Sequence, residues 1–153
     1  MQLSKNFRLS EFSRSMTATR MGIDNSIPYR LIPNIEWLVN NVLQPLRDLR
    51  GMPIIVKSGY RTPALNSYIR SKPTSQHIKG EAADIDDLED NNVLFKLIVK
   101  NNLPFDQLIW EFGDDEPEWI HVSCSMDQQR GEVLRAYKDT YGDHYSPFVY
   151  KRK

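Results

Sequence analysis

A single cysteine, Cys124, in 153 residues excludes an internal disulfide framework and carries no sign of an oxidising compartment. Net charge is also missing. The 20 basic and 20 acidic residues cancel, which removes the electrostatic case for nucleic acid or an anionic membrane as the main partner. No apolar run approaches the roughly 20 residues needed to span a bilayer, and Met1 to Ser10 contains none of signal-peptide length. The expectation is a soluble chain without an export signal of its own. Nor is the chain long enough for two cores, so residues 1–153 read as one domain. It divides into an N-terminal arm (1–29), a central segment (57–125) and a C-terminal tail (139–153).

Histidine is scarce, with three in the chain, and two of them fall in the stretches around which the rest is organised. These are Ser75-Gln76-His77-Ile78-Lys79-Gly80-Glu81-Ala82-Ala83-Asp84 and Glu118-Trp119-Ile120-His121-Val122-Ser123. Side chains on a strand alternate faces. A strand over Glu81 to Asp86 therefore puts Ala82, Asp84 and Asp86 on one face. A strand over Trp119 to Ser125 puts Ile120, Val122 and Cys124 toward a core and His121 away from it. Asp84 and His121 then meet across one sheet face, and Gly80, free to take positive φ, folds His77 back toward them. Two imidazoles and a carboxylate leave the fourth position of a tetrahedral zinc open to water, the arrangement of a catalytic site. We therefore expect His77, Asp84 and His121 to hold one Zn²⁺. Glu118 is expected in the turn entered through Pro117, acting as base on the metal's water, with Glu111 and Glu116 as rivals.

Arg61 follows a predicted strand over Pro53 to Ser58 that ends at Ser58-Gly59, and its fixed donors suit a carbonyl oxygen that becomes an anion during attack. The acidic run Asp86, Asp87, Glu89 and Asp90 reads as a solvated loop and helix start rather than a second metal site. Cys124 reads as a buried thiol and His144 as an exposed or locally bonded ring.

Taken together, Ser-x-His-x-x-Gly-x-Ala-x-Asp at Ser75 to Asp84, Glu-x-x-His at Glu118 to His121, and Ser58-Gly59-Tyr60-Arg61 with Asn66 resemble the zinc D-alanyl-D-alanine carboxypeptidase family. That family includes D,D-dipeptidases and phage endolysins that are L-alanyl-D-glutamate peptidases, and it shares its fold with the hedgehog signalling domain. The resemblance covers roughly Lys57 to Ser125. It implies the same three zinc ligands, Glu118 as catalytic base and Arg61 as oxyanion stabiliser. Ser75 is similar to a family residue that contacts substrate, and Tyr60 is placed beside it as a second contact. The implied substrate is a peptidoglycan peptide containing D-amino acids, cut as a carboxypeptidase, dipeptidase or endopeptidase. The rival reading is a cell-wall or protein-binding module that retains zinc without cutting. Nucleic-acid binding lacks any basic and aromatic stripe, and a monomer is favoured.

The expected fold is α+β: an antiparallel sheet of about four or five strands, helices packed on one face and the metal on the other. A long helix from about Asn34 to Arg50, kinked at Pro45 and stopped by Gly51, supplies one side of the core. A second, over Asn91 to Asn102, packs beside it. The Pro53 to Ser58 strand, with Ile54, Ile55 and Val56 in a row, is expected to be buried on both faces. The arm reads as a clasp anchored by Phe7, Leu9 and Phe12, or alternatively as a wall of the substrate groove.

Overall fold

Pro45 decides how the long helix is built. A proline inside a helix lacks the N–H for the regular bond and crowds the carbonyl four residues earlier. In the computed structural model, which describes residues 1–150, the helix runs as α3 (Ile32–Leu38), a π-helical turn (Val39–Leu43) and α4 (Gln44–Arg50). The Gln44 N–H donates to the Val39 carbonyl, and Pro45 falls in the first turn of α4, where no intrahelical donor is required. Gly51, at φ 72°, ends it in the left-handed conformation. Two short helices, α1 (Ser10–Ser13) and α2 (Met16–Met21), precede it; α5 (Pro63–Tyr68) and α6 (Asn91–Lys100) follow.

Six strands form one sheet: β1 (Ile54–Ser58), β2 (Ala82–Asp87), β3 (Gln107–Glu111), β4 (Trp119–Ser123), β5 (Glu132–Asp139) and β6 (Gly142–Pro147), in the order β1-β2-β4-β3-β5-β6. The sheet exceeds the expected strand count because the segment read as a tail supplies β6, paired antiparallel to β5. It is not wholly antiparallel, since β5 runs parallel to β3. Residues 151–153 of that tail lie outside the described residues.

Strand parity sorts the two faces as expected. Ala83 and Ile85 of β2, Ile120 and Val122 of β4, and Leu108 and Trp110 of β3 join Leu38, Val42 and Leu46 of the long helix and Leu94, Phe95 and Ile98 of α6 in a single core. Asp84, His121 and Glu111, on the opposite parity, face away from it. The β1 strand departs from expectation: it is an edge strand, and Ile55 is 45% exposed while Ile54 is buried. Its neighbour β2 is tied to α4 by a bidentate pair in which Arg50 Nε and Nη2 donate to Asp87 at 2.7 and 3.0 Å. The rest of the acidic run is likewise spent on structure: Asp90 caps α6 by accepting from Asn92 N–H, and Asp86 accepts from Asn91. Cys124 is fully buried. Among the described residues, no helix is long and apolar enough to cross a membrane.

The arm is a clasp. Phe7 and Phe12 are each 1% exposed, and burying a side chain of that size contributes about 1.5–3 kcal/mol. Phe12 lies over Gly59 so closely that a Cβ at Gly59 would meet the Phe12 Cα at 2.7 Å. The Tyr60 N–H donates to the Phe12 carbonyl at 2.8 Å, fixing the same contact through the backbone.

Gly59→Ala should therefore force the arm off the end of β1 and lower stability by about 1–3 kcal/mol, the usual cost of overpacking. Urea denaturation of the two proteins measures this, and an unchanged midpoint would show that the arm yields without cost.

Candidate metal centre

A single short turn brings His77 to the sheet. Ser75 caps a single 3₁₀ turn over Gln76–Lys79, its hydroxyl accepting from the His77 N–H at 3.3 Å. Gly80 closes that turn at φ 71°, and a Cβ there would meet Ile35 Cγ1 at 2.9 Å, so the turn is seated directly on α3. The Asn34 amide adds a bond to the Lys79 carbonyl at 2.8 Å. His77 then points back to β1, where its Nδ1 donates to the Gly59 carbonyl at 2.6 Å. That bond assigns the tautomer: the proton sits on Nδ1, and Nε2 carries a lone pair.

On the sheet, Asp84 of β2 and His121 of β4 are direct register partners. Asp84 Oδ1 lies 3.4 Å from His77 Nε2 and 3.1 Å from His121 Nδ1. The two rings meet edge-on with centroids 5.2 Å apart. All three residues are buried, with relative exposures of 2%, 8% and 9% for His77, Asp84 and His121. Burial lowers the His77 pKa, so the ring is neutral. Burial by itself would raise Asp84, but its hydrogen-bonding neighbours outweigh it and hold the carboxylate ionised.

This donor set fits Zn²⁺. One atom from each residue falls within 4.8 Å of the others, and no equivalent His, Cys, Asp and Glu group occurs elsewhere among the described residues. Two ring nitrogens crowd one carboxylate oxygen, an arrangement that a shared dication satisfies. The Nδ1–H of His77 bonded to a backbone carbonyl is the support that metal-bound histidines ordinarily carry. His121 Nε2 is buried without a protein partner among the described residues.

Arg61 closes the group from the side. Its Nη2 lies 3.2 Å from Asp84 Oδ2, Nε donates to Ser58 Oγ at 3.2 Å, and Nη1 donates to Ser71 Oγ at 3.3 Å. Its N–H donates to the His77 carbonyl at 3.1 Å. Asn66 holds the loop that carries Ser71, donating to the Ser71 and Lys72 carbonyls. A residue without a sequence signature, Asn25 of the arm, bonds on both sides of Arg61. Its amide donates to the Tyr60 carbonyl at 3.0 Å, and its oxygen accepts from the Thr62 N–H at 2.9 Å.

The remaining expected site residues are placed differently. Tyr60 is 4% exposed with its ring in the core, because the arm covers the strand end where it emerges. Ser75 uses its hydroxyl as the cap. Glu118 is exposed and, with Phe112, Trp119, Tyr137 and Lys138, lines a cavity of about 430 Å³ at the ends of β3 and β5. Its N–H bonds to the Glu111 carbonyl at 3.0 Å, so backbone pairing already includes the residue expected in an entering turn. From there, an odd number of residues before His121, it takes the opposite parity. The glutamate on the metal face is Glu111, buried at 5% exposure and paired with Trp119, two residues from the Ile109–His121 pair. Burial pushes its carboxyl up to about 8; Asp84 and Asp143 add to the rise and Arg61 opposes it. Leu108 and Trp110, as core residues, leave Glu111 on the opposite parity of β3. The third histidine, His144, stacks on Tyr137 and bonds to Asp139 at 2.8 Å, away from this group.

The raised Glu111 pKa sets a stability prediction for the metal-free protein. Below the ordinary glutamate value of 4.5 the residue is protonated in both folded and unfolded chains, and the folded state keeps its proton up to about 8. Stability should therefore fall as pH rises across that window, relative to Glu111→Gln. Urea melts of both proteins from pH 4.5 to 9 test this; a constant difference between them would place Glu111 in water.

No curated protein matches the chain. The model of one family, described as Peptidase M15, matches residues 5–123 and so takes in β1 to β4, the clasp and every residue of the candidate centre. With the three donor residues and their supports in place, the chain belongs to the zinc D-alanyl-D-alanine carboxypeptidase-like peptidase M15 family.

Proposed function

We propose that the protein is a zinc-dependent metallopeptidase that hydrolyses an amide bond in a peptidoglycan-derived peptide containing D-amino acids, as a carboxypeptidase, dipeptidase or endopeptidase. The observation that carries this reading is the buried carboxyl of Glu111 on the sheet face of His77, Asp84 and His121. A purely binding site gains nothing from a buried carboxyl on that face. The substrate class is drawn from the family.

When bound, zinc supplies a Lewis acid and brings a water toward a pKa of about 7. The protein does the rest. The Gly59 carbonyl keeps the His77 proton on Nδ1, so that Nε2 remains a donor to the metal. Arg61 holds the second oxygen of Asp84, which orients the carboxylate and tempers its charge. Asp84, ionised, would be the single anionic member of the set that would hold the metal, alongside the neutral His77 ring. Glu111, as carboxylate, takes a proton from the attacking water and passes it to the leaving amine. A buried carboxyl, raised out of the ordinary carboxyl range by its surroundings, is the kind of group suited to both transfers. We assign the base to Glu111 in preference to Glu118, whose exposed position is at the strand ends. Arg61 lies beside Asp84, where a guanidinium would stabilise developing negative charge.

The test compares wild type, Glu111→Gln and Glu118→Gln, each loaded with one equivalent of zinc, on purified muropeptides. Glu111→Gln should keep its zinc and lose activity by about 10²- to 10⁴-fold, whereas Glu118→Gln should stay within a few-fold of wild type. The reverse pattern would return the base to Glu118. Inertness of all three proteins would favour a zinc-retaining binding module.

A further inference from the structure

The β5–β6 hairpin lies beyond the family match, which ends at residue 123. Its register nevertheless carries the metal face outward across the sheet. Trp119 pairs with Glu111, Glu111 with Ala136, and Ala136 with Tyr145. The four side chains form one row on one face. Ala136, fully buried, places only a methyl group between Glu111 and Tyr145. A bulkier residue there would wall the tyrosine off. Because β6 is the sheet edge, the Tyr145 ring is 50% exposed, and its hydroxyl has no hydrogen-bond partner among the described residues.

Resting on the peptidase reading above, we propose that the Tyr145 hydroxyl donates a hydrogen bond to an amide carbonyl of the peptide substrate next to Glu111. Its surroundings keep it a donor: burial pushes the phenol up to about 12, Glu111, Asp143 and Asp84 add to the rise, and Arg61 opposes it. The proton therefore stays on the oxygen throughout the range in which Glu111 works. A peptide laid across the face would meet His77, Asp84 and His121 at the reacting bond and Tyr145 at the sheet edge.

Zinc-loaded wild type, Tyr145→Phe and Tyr137→Phe would be compared on muropeptides, with zinc content and melting temperature measured alongside. Tyr137, stacked on His144, has the opposite parity on β5 and serves as control. Loss of one neutral hydrogen bond should lower kcat/KM for Tyr145→Phe by about tenfold. Zinc content and melting temperature should not change, and Tyr137→Phe should match wild type. In the Glu111→Gln background, calorimetry should show muropeptide binding weakened by a similar factor when Tyr145→Phe is added. Wild-type kinetics for Tyr145→Phe in an active wild type would overturn this role and leave the peptidase reading intact. A fall accompanied by lost zinc or a lower melting temperature would overturn it as well. An inert wild type would overturn the peptidase reading and this role with it.

Discussion

The hydrogen bond from His77 Nδ1 to the Gly59 carbonyl fixes one candidate metal donor, and most of the structure can be read as what keeps its two ends together. One end is held by Gly80, whose missing Cβ lets the 3₁₀ turn sit on Ile35. The other is held by Gly59, whose missing Cβ lets Phe12 close over the end of β1. The glycines leave room in each case for a large apolar side chain from the N-terminal part of the chain, and burial of that side chain clamps the polar geometry. The metal centre thus depends on hydrophobic contacts that involve none of its ligands.

The sheet supplies the second half of the geometry by register alone. Asp84 and His121 are opposed because β2 and β4 pair without slippage over Ala82–Ile85, and a one-residue shift would move either to the core face. Arg50 resists such a shift from outside, since its bidentate grip on Asp87 ties the end of β2 to α4. Electrostatics follow from the same burial. A desolvated pocket keeps His77 neutral, Asp84 ionised by its neighbours and Glu111 protonated near neutrality, three states of one environment.

Much of this was legible in the chain because alternation on strands is a strict rule. Ile120 and Val122 had to be core residues, so His121 had to face Asp84, and positive φ at Gly80 followed from the need to turn His77 back. The choice between Glu111 and Glu118 was not legible, since it hangs on whether regular pairing begins at Trp119 or one residue earlier, a matter of tertiary hydrogen bonding. Tyr60 misled for a similar reason: an aromatic at a strand end reads as exposed until a distant segment is known to cover it. The β6 strand, Gly142-Asp143-His144-Tyr145-Ser146-Pro147, has no apolar alternation to mark it and exists through its pairing with β5. The π turn ahead of Pro45 shows in sequence only as a proline that should kink a helix; absorbing it as one widened turn leaves Val39, Val42 and Leu43 fully buried.

The parallel pairing of β3 with β5 means that the strand bearing Glu111 is an interior strand only because the chain from Glu132 onward returns to lie against it. Phe148 and Tyr150 reinforce that return, packing with Trp110 and Phe95 below the sheet. A chain ending where β4 ends would retain all three candidate metal donors yet leave Gln107–Glu111 with a bare row of amides and carbonyls, a surface that recruits foreign strands. Segments that contribute no ligand thereby guard the molecule against self-association.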